Sequence, residues 1–575
     1  MPNIRVILWG VLAAILFLSY QTWLHDYEPT VSSVPQTSAA PAGAPASALG
    51  DSVPQPTVSA TAAAPPTTAP EPAATPAETS APAALAAASA ADSGPPVQLH
   101  VTTDVLDIGI NLKGGELARA DLLQYPLRKD TPNIPVRLLS YEPPPTRYLV
   151  QSGLTGGAGE AAPTHQVVWK SDEKTFVLAP GADELRVPLT WTDGAGLTVT
   201  KTFVFKRGQY AIELEYDVKN DSQSPRNLAP YAQILRHWEH ASRSYFDVET
   251  YSFKGPAVYD GTKSKDLNVE SDGDAKYSAT ITNGWFASLQ HQFVAAVVPP
   301  AGQPYQYQLK VANNEYLVTA TGPMTPIPAG AKAQFHEELF VGPKLQSQLA
   351  ALGRNLERTV DFGVLTVLAQ PLFTGLNYVH KLIGNWGWSI ILVTALIKLL
   401  FYPLSQASGR SMAKMRAVGP RMKQIQETFK DDREKLGRAM MDLYKKEKIN
   451  PLAGCLPMVV QIPVFISFYR VLLESVEMRQ APFLLWINDL SSRDPYFVLP
   501  LLMGSAMFAQ FKLNPAPPDP MQAKIMQFMP LIMTGMMAWF PSGLVLYWLT
   551  NTVLSIAQQW RVNQVVEAEA AKQRS

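Results

Sequence analysis

The chain has 575 residues, room for two to four units at roughly 100 to 200 residues per domain, so one compact domain is excluded. Forty-eight Lys and Arg balance 48 Asp and Glu, which excludes the global basic field that holds nucleic-acid binders on phosphate; no specific nucleic-acid partner is expected. Charged residues make up 17% and apolar ones 47%, unevenly distributed, and the single cysteine, Cys455, excludes an intrachain disulfide and any Cys-cluster metal site.

Val6 to Leu24 are 19 consecutive uncharged, mostly apolar positions, about 28 Å of helix against a bilayer core of about 30 Å. The stretch exceeds a usual signal-peptide core, and Ser19-Tyr20-Gln21-Thr22-Trp23 offers no small-x-small cleavage site, so residues 1–28 read as an uncleaved signal anchor. Arg5 precedes the span while Asp26 and Glu28 follow it, which places the N-terminus in the cytoplasm and exports what comes next. Residues 29–96 hold 14 Pro and 22 Ala in 68 positions with no Lys or Arg. Such a stretch has too little apolar surface to offset its ordering entropy and reads as a disordered Pro/Ala-rich linker.

Over residues 97–344 the pattern changes to period two. Ile212-Glu213-Leu214-Glu215-Tyr216-Asp217-Val218-Lys219 alternates strictly, the mark of a strand with one buried face. Similar runs at Leu197 to Phe205, Phe293 to Val298, Tyr305 to Val311 and Tyr316 to Ala320, punctuated by Gly, Pro and Asn, predict a large antiparallel β-sandwich in the periplasm. A sugar-processing enzyme could be housed there but would need an acid pair, and no spacing stands out. His237, Glu239 and His240 suggest a metal cluster only weakly, since such a run is more often a solvated strand or loop; no metal site is assigned.

Beyond residue 345 the chain turns helical and apolar. Phe362 to His380 is interrupted by Pro371 and dotted with polar residues, so residues 345–381 are assigned to an amphipathic helix region on the outer membrane surface. Leu382 to Gly409 is 28 residues with one charge, Lys398, and supplies the second span (382–404), with Trp386 and Trp388 at its outer interface. Ser405 to Asn450 carries 12 Lys and Arg against 6 acidic residues and predicts a cytoplasmic hairpin of two helices (405–450). A third span (451–473), a periplasmic loop (474–495) with two Arg against four acidic residues, and a fourth span (496–511) follow. The 36 uncharged residues from Ile525 to Trp560 divide at Pro541-Ser542-Gly543 into a fifth (525–540) and a sixth span (544–560), leaving a cytoplasmic tail (561–575). The fold class is thus a polytopic α-helical membrane protein of six spans with a large periplasmic β-sandwich. Six spans put both termini inside and agree with every charge bias; a seventh would place the basic loop outside.

Lys398 is the most informative residue. A cation at mid-helix costs about 2.5 to 3.5 kcal/mol on insertion scales and usually faces a polar interior. No acidic residue lies in the C-terminal apolar runs to pair with it, so water or a transient ligand must neutralise it, unless it snorkels to the cytoplasmic headgroups. Thr394, Gln461, Thr550, Asn551 and Thr552 are the polar residues available to line a hydrophilic groove with it, although each alone reads as an interhelical hydrogen bond. In the hairpin Met412, Met415, Met422 and Met440 offer adaptable apolar contacts for client helices, or simply pack the two helices together. A secondary transporter coupled at Lys398 would call for inverted repeats and a second intramembrane ionisable group, and neither is visible.

The runs GNWG from Gly384, SMAKMRAVGPRMKQIQE from Ser411, INPLAGCLPMVVQIPVF from Ile449, SVEMRQAPFLLWINDLSSRDPY from Ser475, DPMQAKIMQFMP from Asp519 and FPSGLVLYW from Phe540 resemble the YidC membrane-protein insertases of Gram-negative bacteria. VTTDVLD from Val101 also resembles their exported β-domain. The resemblance implies an inner-membrane insertase and assembly chaperone, not an enzyme, without metal, nucleotide or other cofactor. It would take nascent membrane proteins from the ribosome into the lipid bilayer, alone or beside the Sec translocon. It implies a polar groove open to cytoplasm and lipid and closed to the periplasm. One departure stands out: Lys398 occupies a position where this type usually has Arg, so a cation is kept but a planar two-oxygen clamp is not.

Overall fold

The structure, a computed structural model, describes residues 49–55, 98–157, 159–239, 252–429, 432–447, 456–513 and 520–572. The expected signal anchor, most of the linker and His240 lie outside the described residues.

The alternating sequence builds two packed sheets. The larger runs, neighbour to neighbour, through Ser278–Thr282, Pro304–Ala312, Glu315–Thr321, Arg226–His237, Tyr148–Gly156, Thr131–Ser140, Glu116–Arg128, Leu106–Asn111, Gln98–Thr102 and Thr175–Val177. The smaller runs through Ser264–Asp266, Gly255–Tyr259, Trp285–Leu289, Phe293–Val298, Lys332–Pro343, Ala211–Asn220, Leu197–Lys206 and Glu184–Thr192. Pairing is antiparallel, apart from Gln98–Thr102 beside Thr175–Val177, which is parallel. In the strand Ala211–Asn220 the apolar members Ile212, Leu214, Tyr216 and Val218 are buried, and Phe203 and Val199 of the next strand sit opposite Leu214 and Val218. Each such side chain contributes about 1.5 to 3 kcal/mol by leaving water, which fixes the register, since a one-residue slip would expose the whole row.

Residues 49–55 differ from the featureless tether expected of the linker. Leu49–Asp51 form a turn of 3-10 helix, and Leu49 packs on Ala118, Leu149, Leu235 and Leu317 of the larger sheet. Composition averaged over the linker hides this local apolar anchor.

The helical part comprises α1 (Gln346–Leu352), α2 (Thr366–Ile383), α3 (Trp386–Leu400), α4 (Tyr402–Ala417), α5 (Gly419–Thr428), α6 (Arg433–Lys446), α7 (Leu456–Glu474), α8 (Val498–Leu513), α9 (Pro520–Met537) and α10 (Ser542–Lys572). Among the described residues no single helix is long and apolar enough to cross a membrane by itself; Trp386–Leu400 with Tyr402–Ser411 reaches the length as a pair bent by 64°. The stretch expected as one second span is therefore divided, for local reasons. Gly384 takes a φ of 73°, in the left-handed region that glycine tolerates, and ends α2; Asn385 then caps α3 by accepting from the Trp388 N–H at 3.1 Å. At the other end Pro403 has no N–H to continue the ladder, and the axis turns at Phe401. The basic segment likewise holds three helices where two were expected, because α4 begins at Tyr402 and breaks before Gly419-Pro420. The last helix continues through the expected tail to Lys572.

Candidate hydrophilic groove and its closed end

The end of the helical part that carries the α2–α3 turn is assembled from short-range rules. Trp386 is buried and stacks on His380 with ring centroids 4.0 Å apart, so its ring packs the α2–α3 turn, while Trp388 stays exposed against the edge of Phe483. Gly387 leaves the space that Phe483 fills: a Cβ there would stand 2.0 Å from the ring. The loop between α7 and α8 is tied over this end. Asn385 Nδ2 donates to the Phe483 carbonyl at 3.1 Å, Gly543 N–H to the Leu490 carbonyl at 2.9 Å, and the Ser542 hydroxyl to the Ser492 carbonyl at 2.7 Å. Buried Asp494 accepts from Trp486 Nε1 at 3.0 Å and from the Leu499 N–H at 2.7 Å, which caps α8. The β-sandwich leans on the same loop: Ser252 Oγ donates to Glu474 at 2.7 Å and Arg479 to the Leu127 carbonyl at 3.1 Å.

Lys398 lies twelve residues along α3 from Trp386, about 18 Å away at about 1.5 Å per residue. Its ammonium donates to Ser555 Oγ of α10 at 2.7 Å, and that hydroxyl donates in turn to the Asn551 carbonyl at 2.7 Å. No carboxylate stands within ion-pair distance of it among the described residues. Lys398 and Gln461 line one small, partly open cleft together with Ser405 and the apolar Ile397, Phe401, Leu404, Val460 and Val464. Gln461 of α7 donates from Nε2 to the Tyr547 hydroxyl of α10, and Tyr547 lies flat against Phe468 with centroids 4.3 Å apart. Lys398, Ser555 and the Asn551 carbonyl thus form one hydrogen-bonded chain and Gln461 with Tyr547 a second, both ending on α10.

Of the residues expected to line this groove, Lys398 and Gln461 share one cleft, while Asn551 contributes only its backbone carbonyl, to Ser555 of its own helix. Thr394 is buried and spends its hydroxyl on the Ile390 carbonyl at 2.6 Å within its own helix. Thr550 is half-buried on α10, and no hydrogen bond of its side chain joins it to Lys398. Ser555 and Tyr547 were missed, although Tyr547, Asn551 and Ser555 recur every fourth residue and so share one helix face. In the basic segment Met422 is buried with Val418 and Leu443, and Met415 and Met440 pack against them, so Met422 of α5 and Met440 of α6 join these helices while Met415, near the end of α4, packs on the same cluster. The side chain of Met412 is not described; Met441, which the sequence reading passed over, is 44% exposed. Among the described residues no group of three or more His, Cys, Asp or Glu could hold a metal ion.

The family described as YidC periplasmic domain matches residues 98–375, and that described as 60Kd inner membrane protein matches residues 378–569. A membrane protein insertase YidC of Thioalkalivibrio sulfidiphilus is 47% identical over 485 residues, 83% of this chain and 86% of the relative. This chain belongs to the YidC membrane protein insertase family. A YidC of Methylococcus capsulatus is 46% identical over 83% of this chain and 87% of its own length. A crystal structure described as an active YidC insertase with its first transmembrane domain resolved aligns at a TM-score of 0.37 and 17% identity, covering 81% of this chain and 92% of that one. The YidC-type match takes in both halves, so the β-sandwich is the family's periplasmic domain, and Lys398, Gln461 and Ser555 all fall within the stretch shared with the 60Kd inner membrane proteins.

Proposed function

We propose that this YidC-family chain is a multi-pass protein of the bacterial inner membrane that inserts and helps to assemble nascent membrane proteins, through a hydrophilic groove centred on Lys398. The observation that carries the reading is a cation held by a hydroxyl instead of a carboxylate, facing a cleft it shares with Gln461. A permanent acidic partner would satisfy the charge; a hydroxyl leaves it available to acidic groups of a client. The loop tied over the outer ends of α3, α8 and α10 supports a groove closed on the periplasmic side. Hydrophobic transfer of the client helix into lipid supplies the driving force.

The topology belongs to the same proposal: six spans, both termini and the α4–α6 segment in the cytoplasm, β-sandwich in the periplasm. The second span keeps to residues 382–404, α3 with only the first residues of α4, the rest of α4 lying with α5 and α6 in the cytoplasm, and no catalytic residue or cofactor takes part. Partners are nascent membrane proteins, delivered by the ribosome directly or beside the Sec translocon. Met412, Met415, Met422 and Met440 are kept as a client contact that requires α4 and α5 to part from α6, since Met415, Met422 and Met440 share one cluster with Leu443 of α6.

The test is insertion in vitro of two clients differing only in the acidic content of the exported segment. Lys398→Arg should keep most insertion. Lys398→Ala should lower insertion of the acidic client about tenfold, the equivalent of about 1.4 kcal/mol, and spare the neutral one, while Lys398→Glu should be worse for the acidic client. Equal insertion of both clients by wild type and Lys398→Ala would defeat the electrostatic role.

A further inference from the structure

On the larger sheet a row of buried polar side chains meets the linker turn Leu49–Asp51. Gln151, Gln233 and Thr319 are buried side chains on three adjacent strands, and they form a ladder: Thr319 Oγ1 donates to Gln233 Oε1 at 3.4 Å and Gln233 Nε2 to Gln151 Oε1 at 2.7 Å. This leaves Gln151 Nε2 pointing outward as a donor, which it gives to Glu116 at 2.9 Å and to the Gly50 carbonyl at 3.4 Å. His165 completes the seat. Its Nε2 faces the same Gly50 carbonyl at 3.0 Å and its Nδ1 faces the Tyr231 hydroxyl at 2.7 Å. A carbonyl only accepts, so the proton belongs on Nε2 and Tyr231 donates to Nδ1.

Sequence-selective features surround this carbonyl. Leu49 fills the apolar pocket of Ala118, Leu149, Leu235 and Leu317. At Gly50 a Cβ would stand 2.9 Å from the Leu235 Cδ2, so a bulkier residue requires the Leu235 side chain to shift. Gln166 Nε2 donates to the Asp51 carbonyl at 2.6 Å, Lys310 Nζ to Ser52 Oγ at 3.0 Å, and Pro54 is buried. Burying glutamines costs free energy unless each amide is paired, and here the pairing is completed by a peptide backbone lying 101 and 115 residues from Gln151 and His165.

We infer that this face of the β-sandwich is a peptide-docking groove whose ligand is the linker segment Leu49–Pro54, and that docking clamps the linker to the domain. Between Glu28 and the strand Gln98–Thr102 the chain has 69 intervening residues (29–97); to the docked Leu49 it has 20 (29–48). At about 3.3 to 3.6 Å per extended residue, the clamp cuts the longest reach from Glu28 to the domain from about 240 Å to about 70 Å. The inference stands apart from the insertion reading, because it is read without a client.

The experiment replaces residues 48–55 of the full chain by an equally long Gly/Ser run and adds a fluorescent peptide of residues 46–57. The replaced chain should bind the peptide at one to one. The wild-type chain, whose own segment competes at high effective concentration, should bind at least tenfold more weakly, and a peptide with Leu49→Asp should not bind. Equal binding to both chains, or none to a replaced chain whose β-sandwich still melts cooperatively, overturns the inference. If the replaced chain does not fold, elastase cutting between residues 48 and 53 decides: protection in wild type and at least tenfold faster cutting in the Leu49→Asp chain support docking, and equal rates refute it.

Discussion

At the scale of single residues, the chain places its costly polar groups where a neighbour finishes what the sequence leaves open. Lys398 donates to one hydroxyl, and that hydroxyl to one carbonyl, with no carboxylate beside the ammonium among the described residues. His165 shows the opposite case of full satisfaction. Burial pushes its pKa from 6.5 down to about 4, opposed by the Gly50 carbonyl and Asp51 and reinforced by Lys201. A depressed histidine contributes stability that is complete above about 6.5 and is lost as the pH falls through about 4, at no more than about 1.4 kcal/mol per pH unit. Melting of the wild-type β-sandwich should therefore fall more steeply between pH 6.5 and 4 than that of His165→Gln, which keeps polar atoms but cannot titrate. Parallel pH profiles would show that His165 does not gain its proton on unfolding.

At the scale of elements, two contacts decide how the helices meet. Gly387 admits Phe483, and Gly504 admits Thr534, whose Oγ1 would stand 2.0 Å from an added Cβ, so α8 and α9 approach closely. Gly387→Ala forces the Phe483 ring and its loop to shift and should cost about 1 to 3 kcal/mol, the range for overpacking a tight site. Thermal unfolding in detergent checks this; an unchanged midpoint would mean that the loop moves freely. The methionines of α4, α5 and α6 give a second test. Replacing Met412, Met415, Met422 and Met440 together by Leu keeps apolar volume and removes side-chain adaptability. Given the shared apolar cluster of Met415, Met422 and Met440, stability should change little; crosslinking to clients should drop if the helices part to receive them, and should be unchanged if they only pack.

At the scale of the whole molecule, the β-sandwich and the helices share a boundary in which Ser252 donates to Glu474, Arg479 to Gln292, and His291 Nε2 bonds the Leu473 carbonyl at 2.8 Å. The proposed topology predicts that protease added outside intact spheroplasts cuts within residues 29–96 but outside the docked Leu49–Pro54, while residues 405–450 stay protected. Cutting in the basic segment from outside would reverse the orientation of α4 to α6.

The sequence by itself determined what depends on neighbours a few residues apart. The strict alternation at Ile212 to Val218 announced a strand with one buried face, and Pro541-Ser542-Gly543 announced the break before α10. Lys398 stood out because no carboxylate accompanies it in the apolar runs. What the tertiary structure alone decided are pairings between distant positions: Lys398 with Ser555, 157 residues on, Gln461 with Tyr547, 86 on, and Gln151 with Gly50, 101 back. Thr394 illustrates the reason. Its spacing from Lys398 placed it one turn away, yet its hydroxyl turns back on its own helix, because an intrahelical carbonyl lies within reach at no cost in chain ordering. Helical period says which residues share a face; only the packing of one helix on another says what that face meets.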